Sequence, residues 1–81
     1  MSINYSILGT DLSLVEKAIE TLKNDKKAAE LLTKMEIRVS KFSGALNIYN
    51  STFDDLQYFA KVLNNQEYTY DPVFKMTSFY Y

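Results

Sequence analysis

The stretch that decides the fold is MEIRVSKFSGALNIYN, residues 35–50. Apolar and polar side chains alternate over 35–40 and again over 46–50, which is the period of half-buried β-strands. Ser43-Gly44 lies between the two segments and suits a two-residue hairpin loop. We therefore predict a β-hairpin in which Val39 is paired with Ile48 on an apolar face.

The same register makes a prediction about the other face of the hairpin. Pairing Phe42 with Ala45 around the turn brings Arg38 opposite Tyr49. A guanidinium lying over an aromatic ring gains a weak cation–π attraction, so this pair should add to strand pairing.

Upstream of the hairpin, the sequence has helical spacing. The apolar stripe consists of Leu12, Val15, Ile19, Leu22, Ala29 and Leu32. Asn24-Asp25 interrupts this stripe, and Asp is a good N-cap, so we predict two helices, at 12–23 and 26–34. One bent helix is the alternative. Thr10, Asp11 and Ser13 are candidate caps of the first helix, and Ser13 has capping-box spacing to Glu16.

Two further elements flank this central part of the chain. Residues 3–8 alternate between apolar and polar and predict a strand that Gly9 ends. After the hairpin, one of Asn50, Ser51 and Thr52 should cap a third helix that ends at Asn64-Asn65. Its predicted buried stripe is Phe53, Leu56, Phe59, Ala60 and Leu63.

The C-terminal residues 66–81 are rich in aromatic side chains. We predict a final strand that starts at Val73, because Pro72 lacks an amide donor, with 66–70 as an extended lead-in. In that phase the side chains that face the helices are Phe74, Met76 and Tyr80, and those on the opposite face or beyond the sheet edge are Val73, Phe79 and Tyr81.

The predicted order is strand, helix pair, strand, strand, helix, strand. This is the split β-α-β, ferredoxin-like pattern: an α+β sandwich of a four-stranded antiparallel sheet with helices on one face. With 81 residues there is room for one hydrophobic core, so we expect a single domain over 1–81. A strand-poor fold with a flexible tail is the competing interpretation.

The composition argues against catalysis. The chain has no Cys and no His, which removes the commonest general base and the usual transition-metal ligands. Asp54-Asp55 point about 100° apart on a helix and are better explained as first-turn residues that favour the helix dipole. We therefore expect no enzyme activity, no catalytic residues, no metal site and no cofactor.

The aromatic residues suggest a function in binding. We expect an apolar patch on the helix-free face of the sheet, and we predict that it binds a protein partner. The predicted partner-binding residues are Phe42, Tyr49, Val73, Phe79, Tyr80 and Tyr81. The partner would be a host protein or a second copy of the chain in a dimer, and the domain would modulate or inhibit it.

The sequence also suggests a cellular setting. Many residues have AT-rich codons and few have GC-rich ones, which favours a low-GC bacterium or one of its phages, and hence a phage or mobile-element accessory protein. No apolar run is long enough to span a membrane and the N-terminus does not resemble a signal peptide, so we expect a cytoplasmic protein with no membrane partner.

A nucleic-acid-associated regulator is the second functional hypothesis. It would use Lys23, Lys26 and Lys27 together with exposed tyrosines. The near balance of nine basic and ten acidic residues argues against it, because phosphate binding needs clustered cations. The segment 43–49 also lacks the interleaved aromatic residues of an RNA-recognition strand. A steep salt dependence of binding would favour this hypothesis.

Overall fold

The structure, a computed structural model, describes residues 12–40 and 44–81. Its elements, in chain order, are α1 (Ser13–Asn24), α2 (Lys26–Leu32), β1 (Glu36–Ser40), β2 (Ala45–Tyr49), α3 (Phe53–Leu63), β3 (Tyr68–Asp71) and β4 (Met76–Tyr80). The strand predicted at 3–8 lies outside the described residues.

The helix break predicted at Asn24-Asp25 is confirmed. Asp25 has an extended backbone, and its carboxylate accepts a hydrogen bond of 3.0 Å from the Ala28 amide, so it caps α2. The cap predicted for α1 differs. Leu12 is the N-cap residue, with no side-chain cap, and Ser13 is the first helical residue. Leu12 is buried in the core, and the other two candidate caps, Thr10 and Asp11, lie outside the described residues.

The hairpin β1–β2 forms, but its predicted register is wrong by two residues. Ser40 pairs with Ala45 and Val39 with Leu46, whereas the prediction paired Val39 with Ile48. A shift of two keeps every side chain on its predicted face. The contact predicted between Arg38 and Tyr49 is therefore confirmed as a diagonal one, with the guanidinium carbon 5.4 Å from the ring centroid.

The aromatic C-terminal segment forms a second hairpin where one strand with an extended lead-in was predicted. Residues 68–71 are a strand rather than a lead-in, residues 72–75 form a turn, and the last strand starts at Met76 instead of Val73. Lys75 closes the turn with a positive φ of 51°. An Asp-Pro pair is a strong turn signal, and here it stops one strand and starts a reversal of the chain.

This turn also reverses the predicted facing of the last strand. Phe79 pairs across the sheet with Leu46 on one side and Tyr68 on the other, and it is fully buried on the helix side. The prediction that Phe79 lies on the open face is therefore wrong. The prediction that Met76 and Tyr80 face the helices is wrong for the same reason. Because side chains alternate with period two, an error of one residue in phase inverts the faces of a whole strand.

The four strands form one antiparallel sheet in the order β1-β2-β4-β3. A ferredoxin-like order is not confirmed, because β4 pairs directly with β2, whereas the split pattern would insert the N-terminal strand between them. The observed architecture is a small α+β domain with a four-stranded antiparallel sheet and three helices. Residues of all three helices share the core with the β2 side chains Leu46 and Ile48.

Helix α3 matches its prediction closely. Thr52 caps it in a capping box with Asp55, and Asn64 ends it in the left-handed conformation. Leu56 and Phe59 are fully buried, as predicted. Phe53 is the exception, because its side chain is 49 % exposed at the first turn of the helix.

A polar contact joins α2 to α3. The Tyr58 hydroxyl donates a hydrogen bond of 2.5 Å to the Asp25 carboxylate, and the Lys27 ammonium lies 4.6 Å from the centroid of the Tyr58 ring. The hydrogen bond from Tyr58, followed by that from the Ala28 amide, lowers the pKa of Asp25. The same bond to Asp25 raises the pKa of Tyr58.

We predict that Asp25→Ala lowers the melting temperature by a few degrees, since it removes both the cap of α2 and the acceptor for Tyr58. Asp25→Asn is the matched control, because an amide oxygen still caps the helix. The folded-state pKa of Asp25 is lowered, so its ionic contribution is complete above the unfolded-state value of about 3.9 and is lost as the pH falls through the folded value. Thermal unfolding of the two variants from pH 7 to pH 2 checks this, and equal pH profiles for wild type and Asp25→Asn would contradict the role of the charge.

We also predict that Phe79→Ala lowers the free energy of unfolding by about 3–5 kcal/mol, because it leaves a cavity in the core. The adjacent substitution Tyr80→Ala should cost much less, about 1 kcal/mol at most, since Tyr80 is 41 % exposed. Urea denaturation of both variants tests the facing of β4. A larger loss for Tyr80→Ala would mean that the phase of this strand is inverted.

Candidate functional site

Those predicted partner-binding residues that the structure describes do not form one surface. Phe79 is in the core, Phe42 lies outside the described residues, and Val73 lies on the turn at 72–75. Tyr49 and Tyr80 are both on the face of the sheet opposite helices α1–α3, but Tyr80 pairs with Ala45, four residues from Tyr49 along β2. That spacing corresponds to about 13 Å along a strand.

Polar side chains separate the two tyrosines on this face. The Ser78 hydroxyl donates a hydrogen bond of 2.8 Å to the side-chain oxygen of Asn47, its cross-strand partner. The Tyr80 hydroxyl lies 3.1 Å from that of Thr69, and Tyr49 is in contact with Arg38. The continuous apolar patch expected on this face is therefore divided by polar groups, and the tyrosines already have polar or cationic neighbours.

Tyr81 follows the last strand, and its amide donates a hydrogen bond of 3.2 Å to the Gly44 carbonyl.

The largest apolar exposure in the described residues is at the turn between β3 and β4. Val73 is 83 % exposed and Phe74 is 68 % exposed. Single exposed apolar residues are normal on protein surfaces, but two bulky neighbours at the end of a hairpin are less usual. We call Val73, Phe74 and the half-exposed Phe53 the apolar tip.

The turn that carries Val73 and Phe74 is held by its own side chains and backbone. The Asp71 carboxylate accepts hydrogen bonds of 2.9 Å from the Val73 amide and 3.3 Å from the Phe74 amide. Proline at position 72 restricts the backbone further. The local conformation is thus specified by the residues that flank the exposed pair.

A buried serine ties this turn to the start of α3. The Ser51 amide donates a hydrogen bond of 3.0 Å to the Lys75 carbonyl, and the Ser51 hydroxyl lies 3.2 Å from the same oxygen. That hydroxyl also lies 2.7 Å from the Thr77 hydroxyl and 3.0 Å from the Ile48 carbonyl. Ser51 and Thr77 are fully buried, so these partners satisfy polar groups that would otherwise be costly in the core.

Phe53 lies at the same end of the molecule as the turn. Its ring is 6.0 Å from that of Tyr70 in an edge-to-face arrangement, and the Tyr70 hydroxyl donates a hydrogen bond of 2.8 Å to the Ser51 carbonyl. Ser51 therefore connects the first turn of α3, strand β3 and the turn at 72–75. Both parts of the apolar tip, Phe53 and the turn at 72–75, are thus joined by these contacts to the rest of the domain.

Of these three residues, only Val73 was predicted to lie on an exposed face. Phe53 fits the helical stripe of α3, and Phe74 fits the alternation of the strand predicted to start at Val73. The signal that could have found Phe74 is Asp71-Pro72, since it marks a turn whose following residues point to solvent. No comparable signal in the sequence marks Phe53.

The other candidate groups are dispersed. Lys23, Lys26 and Lys27 are exposed around the α1–α2 junction, and Lys27 is in contact with Tyr58. Asp55 accepts a hydrogen bond of 3.0 Å from the Thr52 amide in the capping box, in agreement with the helix-start interpretation of Asp54-Asp55. Within the described residues, no three His, Cys, Asp or Glu side chains group in a way that could hold a metal ion.

One open cleft of the described residues, of about 480 Å³, lies at the end of α3 and is lined by Ala60, Lys61, Asn64, Asn65, Gln66 and Tyr68. Its lining is mainly polar. Over residues 12–40 and 44–81, no helix is both long and apolar enough to cross a membrane.

Comparisons with protein-family models, with curated proteins and with solved structures find no match to this chain.

We predict that Asp71→Ala speeds amide hydrogen exchange at Val73 and Phe74, because it removes the acceptor of both amides. Asp71→Asn should keep exchange close to the wild-type rate, since its amide oxygen can accept the same bonds. Hydrogen exchange followed residue by residue by NMR tests this. Unchanged exchange in Asp71→Ala would mean that Pro72 and Ser51 hold the turn without help from Asp71.

Proposed function

We propose that this domain is a non-enzymatic protein-binding module that attaches to its partner through the apolar tip. The observation that supports it is the exposure of Val73 and Phe74, 83 % and 68 %, on a turn whose conformation is held by hydrogen bonds from both sides. Conspicuous apolar groups on a small soluble domain commonly mark an interaction surface.

The fixed turn favours binding because little order remains to be imposed. A mobile loop loses backbone freedom when a partner immobilises it, at about 1–2 kcal/mol per residue. Here the backbone of the tip is already restrained by Asp71, Pro72 and the bonds of Ser51 to Lys75. More of the apolar contact energy is then available as affinity.

The shape and chemistry of the tip define the partner site. Two adjacent bulky apolar side chains at the end of a hairpin fit a concave apolar cleft on another protein. Fully burying an apolar side chain of this size is worth about 1.5–3 kcal/mol, which suits an anchor residue. Asp54 and Lys75 are exposed near these residues in sequence and would supply the polar rim.

The setting of this function rests on composition. The preference for residues with AT-rich codons supports a bacterial cytoplasm and a phage or mobile-element accessory protein that modulates or inhibits a host protein. A tip that inserts into a cleft would inhibit a partner by occupying a site that the partner uses for another ligand.

The decisive experiment combines two substitutions, Val73→Ser with Phe74→Ser, in the full chain. Leu14→Ser is the matched control, because Leu14 is 53 % exposed on α1 and belongs to no part of the tip. We expect the wild type and the control to retain the same protein from a lysate of the source cell or its host. The double variant should bind the purified partner at least about thirtyfold more weakly than the wild type, which is the loss expected for hot-spot residues.

The folded state of the double variant is checked by circular dichroism and thermal unfolding. Equal binding by wild type and double variant would overturn the proposal. Recovery of nucleic acid by both, with a steep salt dependence that is lost in Lys23→Gln/Lys27→Gln, would overturn it in favour of the nucleic-acid hypothesis.

A further inference from the structure

Strand β1 forms one edge of the sheet in the described residues, and its side chains alternate between an apolar face and a charged face. Ile37 and Val39 point to the helix side, where Ile37 is half-buried against the core and Val39 is 37 % exposed. Glu36 and Arg38 are on the face opposite helices α1–α3, and both are exposed. An edge strand presents backbone donors and acceptors that a further strand can pair with.

We propose that the outer edge of β1 pairs antiparallel with β1 of a second copy of this chain, around a two-fold axis at Ile37. The two four-stranded sheets would then be continuous, with the helices of both copies on the same side. A two-fold contact of this kind is isologous, so every interaction occurs twice.

Charge complementarity selects this partner and this register. With Ile37 opposite its own copy, Glu36 of each chain lies opposite Arg38 of the other. Opposite charges on facing strands are favourable, whereas like charges directly opposite are destabilising. A two-fold at Arg38 would place two guanidinium groups face to face, and a parallel in-register pairing would oppose both like pairs.

Charged side chains on an edge strand usually discourage pairing with another chain. Whether they do so in β1 depends on the signs of its two charges. Charges of one sign would repel a second copy in every register. Glu36 and Arg38 have opposite signs two positions apart, and in the single chain they are paired with each other, with 2.6 Å between Arg38 Nε and a Glu36 carboxylate oxygen. That hydrogen bond to Glu36 raises the pKa of Arg38. An exposed ion pair of this kind contributes little to stability, so exchanging it for two pairs between copies costs little.

The apolar side of the strand gains from the same pairing. Ile37 would meet its own copy, and Val39 would lie opposite the half-buried Met35 of the other chain. Val39 would then be covered on the side where the described sheet leaves it exposed.

Charge exchange tests the proposal in the full chain. Glu36→Arg gives β1 two cations and Arg38→Glu gives it two anions, so each variant alone should self-associate at least about tenfold more weakly than the wild type. An equimolar mixture of the two should form a mixed dimer, because the cations of one chain then oppose the anions of the other. The double variant Glu36→Arg/Arg38→Glu should dimerise like the wild type. Sedimentation equilibrium measures the association, and native mass spectrometry identifies the mixed dimer.

The outcomes separate this edge from the apolar tip. Val73→Ser/Phe74→Ser should leave dimerisation unchanged, and the single charge variants should still bind the partner of the tip. A wild type that is monomeric up to millimolar concentration would overturn the proposal. So would single charge variants that dimerise as well as the wild type, or a mixture of folded single variants that forms no mixed dimer.

Discussion

The direct pairing of β2 with β4 is the constraint on which the rest of the structure depends. Each of these strands belongs to a separate hairpin, and a two-stranded hairpin is only marginally stable alone in water. Their pairing makes one sheet from the two hairpins and brings Leu46 opposite Phe79 under the helices. One continuous sheet then forms one side of the hydrophobic core. A chain of this size depends on that, because it can build only one core.

Ser51 adds polar contacts to that apolar pairing, because its hydrogen bonds also hold β2 and β4 together. It follows the end of β2 and precedes α3, so it stands where the chain leaves the sheet and starts the helix that covers it. Its bonds to Lys75 and Thr77 hold β4 at the same place. Such a buried network specifies one arrangement of neighbouring elements because any slip of β4 would leave several polar groups without partners. The position of the apolar tip is a consequence of this network.

The two proposed surfaces have different physical origins. The apolar tip is made by a turn that projects beyond the sheet, and it offers side chains to a cleft. The edge of β1 offers backbone groups, and its side chains determine which register is allowed. The surfaces are at separate places in the fold, so a dimer formed through β1 would present two tips, and a partner with two or more copies of its site would be bound with increased avidity.

Local patterns in the sequence determined the elements whose residues act within one helix or one hairpin. The break at Asn24-Asp25, the capped helix that ends at Asn64 and the contact of Arg38 with Tyr49 all follow from spacing and capping chemistry, which act over a few residues. The predicted α+β class is likewise observed. The tertiary structure alone decided the pairing of β2 with β4, the burial of Phe79 and the use of Ser51 as a link instead of a cap. The exposure of Phe53 also depended on it, because an apolar residue at a helix start has the same local pattern whether it is covered or not. The physical reason is that alternation reports only which residues share a face, and which face is buried depends on strands and helices that are distant in the sequence.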